Sequence, residues 1–288
     1  MSFPAGRIET GALLSAVLAA GCGCVAAGPP DAIQYVPLVT TRADGVADSQ
    51  VVPVRYQGRD AWLALDTGAP FSFLFAEPGG PEYVEQAGTV ELAGESWTLP
   101  GYGDDAIGVE LFQGRPIVGL LGLDFFLDRP SAIDYPAGRL ERGAARPQHG
   151  ERERLTILKL RGFEHAHALV EVLLDGRTRT LMFDTGAHDT LLLGDAAGSN
   201  AGPDEAEVEV QTADGTTWPV RAGQGRLLLP GAPPCVIPVL RAQSIGYLSP
   251  MLEELGAEGL LGLTALGWRR IEFDFQAGEL RLGGERRE

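Results

Sequence analysis

The triplet Asp-Thr-Gly occurs twice, as Asp66-Thr67-Gly68 and Asp184-Thr185-Gly186, each time closing an apolar run: LALDTGA at Leu63–Ala69 and LMFDTGA at Leu181–Ala187. A single carboxylate at the end of such a run is ordinary. Two on equivalent backbone can form a general acid/base pair, because like charges held close cannot both ionise and so share a proton. The surroundings match as well. Gly58 and Gly176 each sit eight residues before an aspartate, and GLLGLDFFLDRPSAIDYPAGRLERG from Gly119 aligns without a gap on GLLGLTALGWRRIEFDFQAGELRLG from Gly259. The chain is an internal duplication with one aspartate per half, which allows the two to face each other across a pseudo-twofold axis.

Strands must hold those aspartates. VVPVRY and WLALD in the first half, and ALVEVLL and TLMFD in the second, flank Gly-containing turns at Gln57–Asp60 and Asp175–Thr178. Each pair predicts a β-hairpin that delivers its aspartate at the end of the second strand. Glycine and proline number 39 and 20, and long helical patterns are scarce, so the expected fold class is all-β. The expected organisation is a leader over 1–27, a tether over 28–48, an N-terminal lobe over 49–143, a polar linker over 144–154 and a C-terminal lobe over 155–288.

The halves differ in length between aspartate and GLLG: 53 residues in the first (66 to 119) and 75 in the second (184 to 259), an excess of 22. VELAGESWTLP at Val90–Pro100 matches LLLPGAPPCVIP at Leu227–Pro238, which pairs Gly94 with Gly231 and puts 19 of the extra residues before that glycine (47 against 28 from each aspartate). The extra segment, about Glu205–Arg221, alternates around Ala213-Asp214-Gly215. Asp-Gly between alternating runs predicts a projecting β-hairpin that only the second lobe owns.

Composition excludes some partners. A net charge of −16 and a pI near 4.7 argue against nucleic-acid binding. At the N-terminus Arg7 precedes an apolar stretch, Ala12–Ala20, too short to span a membrane as a resident helix. Its end, LAAGCGC, resembles a bacterial lipobox in which Cys22 becomes the lipid-modified first residue, although Leu18 lies one place early. The expectation is an exported lipoprotein, anchored by lipid alone and facing the periplasm or the exterior. Of the remaining cysteines Cys24 lies just past the expected lipidation site, ahead of the first lobe, so Cys24 and Cys235 imply no disulfide framework.

The paired triplets, Leu120-Leu121-Gly122 with Leu260-Leu261-Gly262, and the closing segments Ile133-Asp134-Tyr135 (with Gly138) and Phe273-Asp274-Phe275 (with Gly278) resemble the DTG aspartic protease superfamily. The likeness is to bacterial retropepsin-like proteins with two copies fused as in the pepsins, and it covers most of Ser49–Gly284. It implies a bilobal acid-protease fold and an aspartic endopeptidase acting on polypeptides, with catalytic Asp66 and Asp184, no cofactor and no metal. A fused pair also implies a monomer. By the same resemblance Thr67 and Thr185 hydrogen-bond across the lobe interface, and Gly68 and Gly186 bring backbone N–H groups to the carboxylates. Ala69 and Ala187 stand where pepsins usually carry Ser or Thr and retropepsins Ala. Without that hydroxyl the pair should titrate higher. Trp218 in the extra hairpin is the candidate to close over substrate, with Ala69 and Ala187 beside it.

Two other classes compete. A non-catalytic lipid-anchored protein would use the same cleft to bind an extended peptide by strand addition. A two-carboxylate glycosidase needs its own carboxyl separation and sugar-stacking aromatics, to which nothing here points. His165 and His167 alternate onto one strand face without a companion ligand at metal spacing, and His188 is expected to be structural or solvent-facing.

Overall fold

Turn chemistry sets the two hairpins. In the computed structural model, β3 (Gln50–Tyr56) and β4 (Arg59–Leu65) are joined by Gln57 and Gly58 at φ 51° and 75°. In the second half β13 (Leu169–Leu174) and β14 (Arg177–Phe183) are joined by Asp175 and Gly176 at φ 53° and 77°. Two successive left-handed residues form the turn whose twist matches the flanking strands. Alternation then chooses the inner face: Val52, Val54, Leu63 and Leu65 are buried in one lobe, Val170, Val172, Leu181 and Phe183 in the other. The structure describes residues 34–37, 39–40, 50–75, 83–103, 111–127, 129–143, 156–161, 167–194, 197, 205–211, 216–230, 233–267, 270–275 and 277–283.

Each lobe closes on itself. In lobe one the order runs β3, β4, β9 (Arg115–Leu121), β5 (Phe73–Phe75), β7 (Glu95–Tyr102), β6 (Tyr83–Leu92), and β6 returns to β3 through Arg55↔Glu91 and Tyr56↔Val90. Two short strands, β2 (Val39–Thr40) and β8 (Leu111–Phe112), pair with β3 and β9. Lobe two repeats the order with β13, β14, β19 (Gly259–Leu261), β15 (Thr190–Leu193), β18 (Cys235–Ala242) and β17 (Thr217–Leu228), closed by Leu173↔Leu228. The result is a mainly-β pair of six-stranded barrels, closure being the arrangement that leaves no free sheet edge. Short helices α1 (Asp124–Leu127), α2 (Leu248–Glu254) and α3 (Leu263–Leu266) accompany the barrels.

A third, antiparallel layer joins the lobes: β1 (Gln34–Pro37), β11 (Arg139–Arg142), β10 (Ser131–Asp134), β20 (Arg270–Asp274), β21 (Glu279–Gly283) and β12 (Thr156–Arg161). At its centre Ala132 pairs with Glu272, its own counterpart in the duplication, flanked by Ser131↔Phe273 and Ile133↔Ile271. The pseudo-twofold axis therefore passes through that pair. Ile133, Leu140, Ile271, Phe273, Leu280 and Leu282 are buried on one face, and one core runs through both lobes. Phe273 carries much of it, with ring centroids 4.6 Å from Phe126 and 5.6 Å from Phe183. Truncating such a side chain to alanine costs about 3–5 kcal/mol.

The segment expected as a tether contributes structure: β1 lies against β11, and β2 pairs with β3. A four-residue edge strand shows no readable period, and its partner is at the far end of the lobe, so nothing local marks it. The leader with Cys22 and the linker 144–154 lie outside the described residues. The extra hairpin is present: β16 (Ala206–Gln211) pairs with β17 from Ala206↔Ala222 to Gln211↔Thr217, while its tip at 212–215 lies outside the described residues. In lobe one only residues 76–82 separate β5 from β6, too short a segment for a second pair of such arms.

Candidate active site

Both Asp-Thr-Gly loops are anchored at each end to the GLLGL segment of their own lobe. Asp66 N–H donates to Leu121 O (3.0 Å) and Leu123 N–H to Ala69 O (2.9 Å); the counterparts are Asp184 N–H to Leu261 O (3.2 Å) and Leu263 N–H to Ala187 O (3.0 Å). The parallel pairs β4–β9 and β14–β19 supply this register. The motif glycines are steric requirements. A Cβ on Gly119 or Gly259 would overlap the Phe73 or Leu191 carbonyl, and one on Gly122 would stand 2.5 Å from Phe71 backbone.

The barrels bring the two loops together. Thr67 N–H donates to Thr185 Oγ1 at 3.0 Å, and Thr185 N–H donates to Thr67 Oγ1 at 2.9 Å. Both threonines are buried, so each hydroxyl satisfies a donor that water cannot reach. Gly68 N–H donates to Asp66 Oδ1 (2.9 Å) and also to Asp184 Oδ1 (3.2 Å), so a single amide reaches both carboxyls. Ala69 N–H adds a bond to Asp66 Oδ1 (3.2 Å) and Gly186 N–H one to Asp184 Oδ1 (2.7 Å). Neither Gly68 nor Gly186 adopts positive φ. Glycine is needed there because the opposing carboxyl occupies the place of a side chain.

Burial raises both carboxyls above their ordinary range. Asp184 is raised further, first by burial and then by the charge of Asp66, while a hydrogen bond from Asp184 and the Ala69 and Gly68 amides oppose the rise at Asp66. The pair retains a proton where an isolated carboxyl has lost it, and titrates as a unit.

Trp218, the candidate to close over substrate, is half-buried near the start of β17. It packs with Ala187 on the cluster of Leu169, Met182, Leu191, Ile245 and Leu252, and its ring lies where a Gly246 side chain would stand (2.9 Å). Ala69 and Ala187 follow the two loops and bring no hydroxyl to the pair. His188 Nδ1 lies 3.0 Å from Asp189 Oδ1 and is half-exposed; His167 is buried, and His165 lies outside the described residues. Sequence reasoning missed Ser72 and Asp124, which hydrogen-bond to each other behind the lobe-one loop. The signal was present where GLLGLD and GLLGLT part company, at Asp124 against Thr264.

No protein-family model and no curated protein matches the chain. The fold does match solved structures, 476 chains in all. Basic 7S globulin from soybean superposes with a TM-score of 0.53 at 10% identity, over 87% of this chain and 94% of that one. The chain thus has the pepsin-like bilobal fold, and a likeness at this identity carries the fold alone.

Proposed function

We propose that the protein is an aspartic endopeptidase whose catalytic pair is Asp66 and Asp184, one from each lobe. The observation that carries this reading is the Gly68 amide bonded to both carboxyls, inside loops locked by the reciprocal threonine bonds. In the hydrolysis, the ionised member of the pair takes a proton from a bound water as its oxygen attacks the peptide carbonyl carbon. The protonated member donates to the carbonyl oxygen, giving a neutral tetrahedral diol. Collapse restores the carbonyl, breaks the C–N bond and sends a proton to the leaving amine, with no covalent intermediate. The substrate is an extended polypeptide, Trp218 and the β16–β17 hairpin cover it from the lobe-two side, and a single chain suffices because it holds both aspartates. Export and attachment through a lipid on Cys22 belong to the same proposal.

The test uses the chain from Pro29, which keeps every described strand, beside Asp184→Asn. Both are incubated with a mixed peptide library from about pH 3 to 7, where such a pair titrates, and products are read by mass spectrometry. New termini from the first protein alone support the proposal. Cleavage by neither protein, with both folded, would favour the second reading, a peptide-binding protein with an uncut ligand. Lobe one favours that reading to the extent that it leaves no room for a covering hairpin of its own.

A further inference from the structure

Ser72 and Asp124 have no part in the hydrolysis above, yet they join the catalytic loop through an unbroken series of hydrogen bonds. Asp124 Oδ1 accepts the Ser72 N–H (2.9 Å), the Ser72 Oγ–H (2.6 Å) and the Phe125 N–H (2.9 Å). With its proton committed to Asp124, Ser72 Oγ accepts the Gly122 N–H at 2.9 Å. That N–H belongs to the same peptide unit as the Leu121 carbonyl, which accepts the Asp66 N–H at 3.0 Å. The series therefore runs carboxyl, hydroxyl, peptide, catalytic residue. Ser72 is 1% exposed, so water does not compete for these bonds. A short bond to a carboxylate is stronger than a neutral one, and each bond in such a series polarises the next.

Among the described residues lobe two shows no such series. The duplication places Thr190 at the position of Ser72 and Thr264 at that of Asp124, so no carboxyl stands there. The Thr190 hydroxyl is buried and has no hydrogen-bond partner among the described residues. The matching bond from Asp184 N–H to Leu261 O is longer, 3.2 Å.

We propose that Asp124, acting through Ser72 and the Leu121–Gly122 peptide, is a positioning residue for Asp66 that has no counterpart in lobe two. The catalytic aspartates are then unequal by construction, with Asp66 on the braced loop and Asp184 on the freer one. The kinetic part of the test rests on the protease reading; the exchange part does not.

The experiment compares Ser72→Ala, Asp124→Ala, Asp124→Asn and the lobe-two control Thr190→Val in the full chain. Amide exchange at Asp66, Gly122, Asp184 and Gly262 is followed by NMR, with kcat, KM and Tm measured in parallel. Removing the hydroxyl or the carboxyl speeds exchange at Gly122 and Asp66 about tenfold and leaves Asp184 and Gly262 unchanged. It also lowers kcat about tenfold at constant KM, the mark of a misplaced catalytic group. Asp124→Asn keeps an oxygen acceptor and stays within about threefold of the parent. Thr190→Val changes neither measurement. Unchanged Asp66 and Gly122 exchange in both alanine variants, an equal effect from Thr190→Val, or exchange that merely follows Tm at every amide overturns the proposal. If the parent cleaves nothing, the protease reading falls and the exchange pattern alone decides.

Discussion

Gly68 faces the Asp184 carboxyl so closely that a methyl group on it would stand 2.7 Å from Asp184 Cγ, and Gly186 faces Asp66 Cγ across the axis at 2.8 Å. Each lobe's glycine is thus fitted to the other lobe's aspartate. Gly68→Ala and Gly186→Ala should each lower the proposed peptidase activity by about a hundredfold or more, because the carboxyl must move to admit the methyl. Kinetics and a thermal melt on each variant check this. Full activity in either would mean that the loops are looser than this packing requires.

Thr67 and Thr185 should behave as a coupled pair. Replacing either by valine removes an acceptor and strands the partner's buried N–H, a loss of about 1–3 kcal/mol. The double variant should lose clearly less than the sum of the singles, since the two bonds share one interface. Urea unfolding of the four-member cycle measures the coupling, and simple additivity would argue against a shared interlobe lock.

Stability should fall with rising pH because of the carboxyl pair. The folded chain holds a proton that an unfolded aspartate releases near about pH 3.9. The raised folded value of Asp184 therefore contributes no loss below that pH and a growing loss as pH climbs through it. Asp184→Asn removes the titration, so the variant should gain on the parent as pH rises from about 3 to 7. Parallel stability curves for the two proteins would rule this out.

Arg270 of lobe two is bonded to Asp134 (3.2 Å) and Glu141 (2.6 Å) of lobe one and to Glu272 of its own strand. Burial works to raise the Glu141 carboxyl, but Arg270 and then Arg139 outweigh it and hold the carboxyl below its ordinary value. That contribution is present above the unfolded glutamate value and lost as pH falls through the folded one. Arg270→Met should cost about 2 kcal/mol at neutral pH and progressively less toward acid. A cost that did not shrink on acidification would place the role of Arg270 elsewhere.

The proposed activity should peak at a less acidic pH than in a gastric-type enzyme, since neither Ala69 nor Ala187 offers a hydroxyl to the ionised pair. Ala69→Ser adds a donor next to an amide that already bonds Asp66, and should move the acidic limb of the pH–rate profile downward. An unshifted limb, or an optimum near pH 2 in the parent, would remove the argument.

Much of the fold was legible because the duplication repeats its local chemistry. The Gly58 and Gly176 turns, the strands ending at Asp66 and Asp184, and the extra hairpin are all set by residues close in sequence. The 19-residue excess before Gly231 also agrees with the register, in which Val90 and Leu227 hold equivalent places against Tyr56 and Leu174. Strand β1 was not legible, because four residues on a sheet edge take their structure from β11. Ser72 and Asp124 were equally silent: a lone serine and a lone aspartate acquire a shared role only when β5 and the start of α1 meet.

By itself the sequence determined that there are two halves, that each is β-structured, and that each ends a strand on an aspartate, since alternation, turn residues and repetition are local properties. Only the tertiary structure decided that the two carboxyls share one amide, that Gly68 and Gly186 each stand against the opposite lobe's aspartate, and that Ser72 and Asp124 hydrogen-bond behind the first loop. Those contacts join segments fifty to more than a hundred residues apart in the chain, which closure of each barrel and their common sheet bring together and no local pattern encodes.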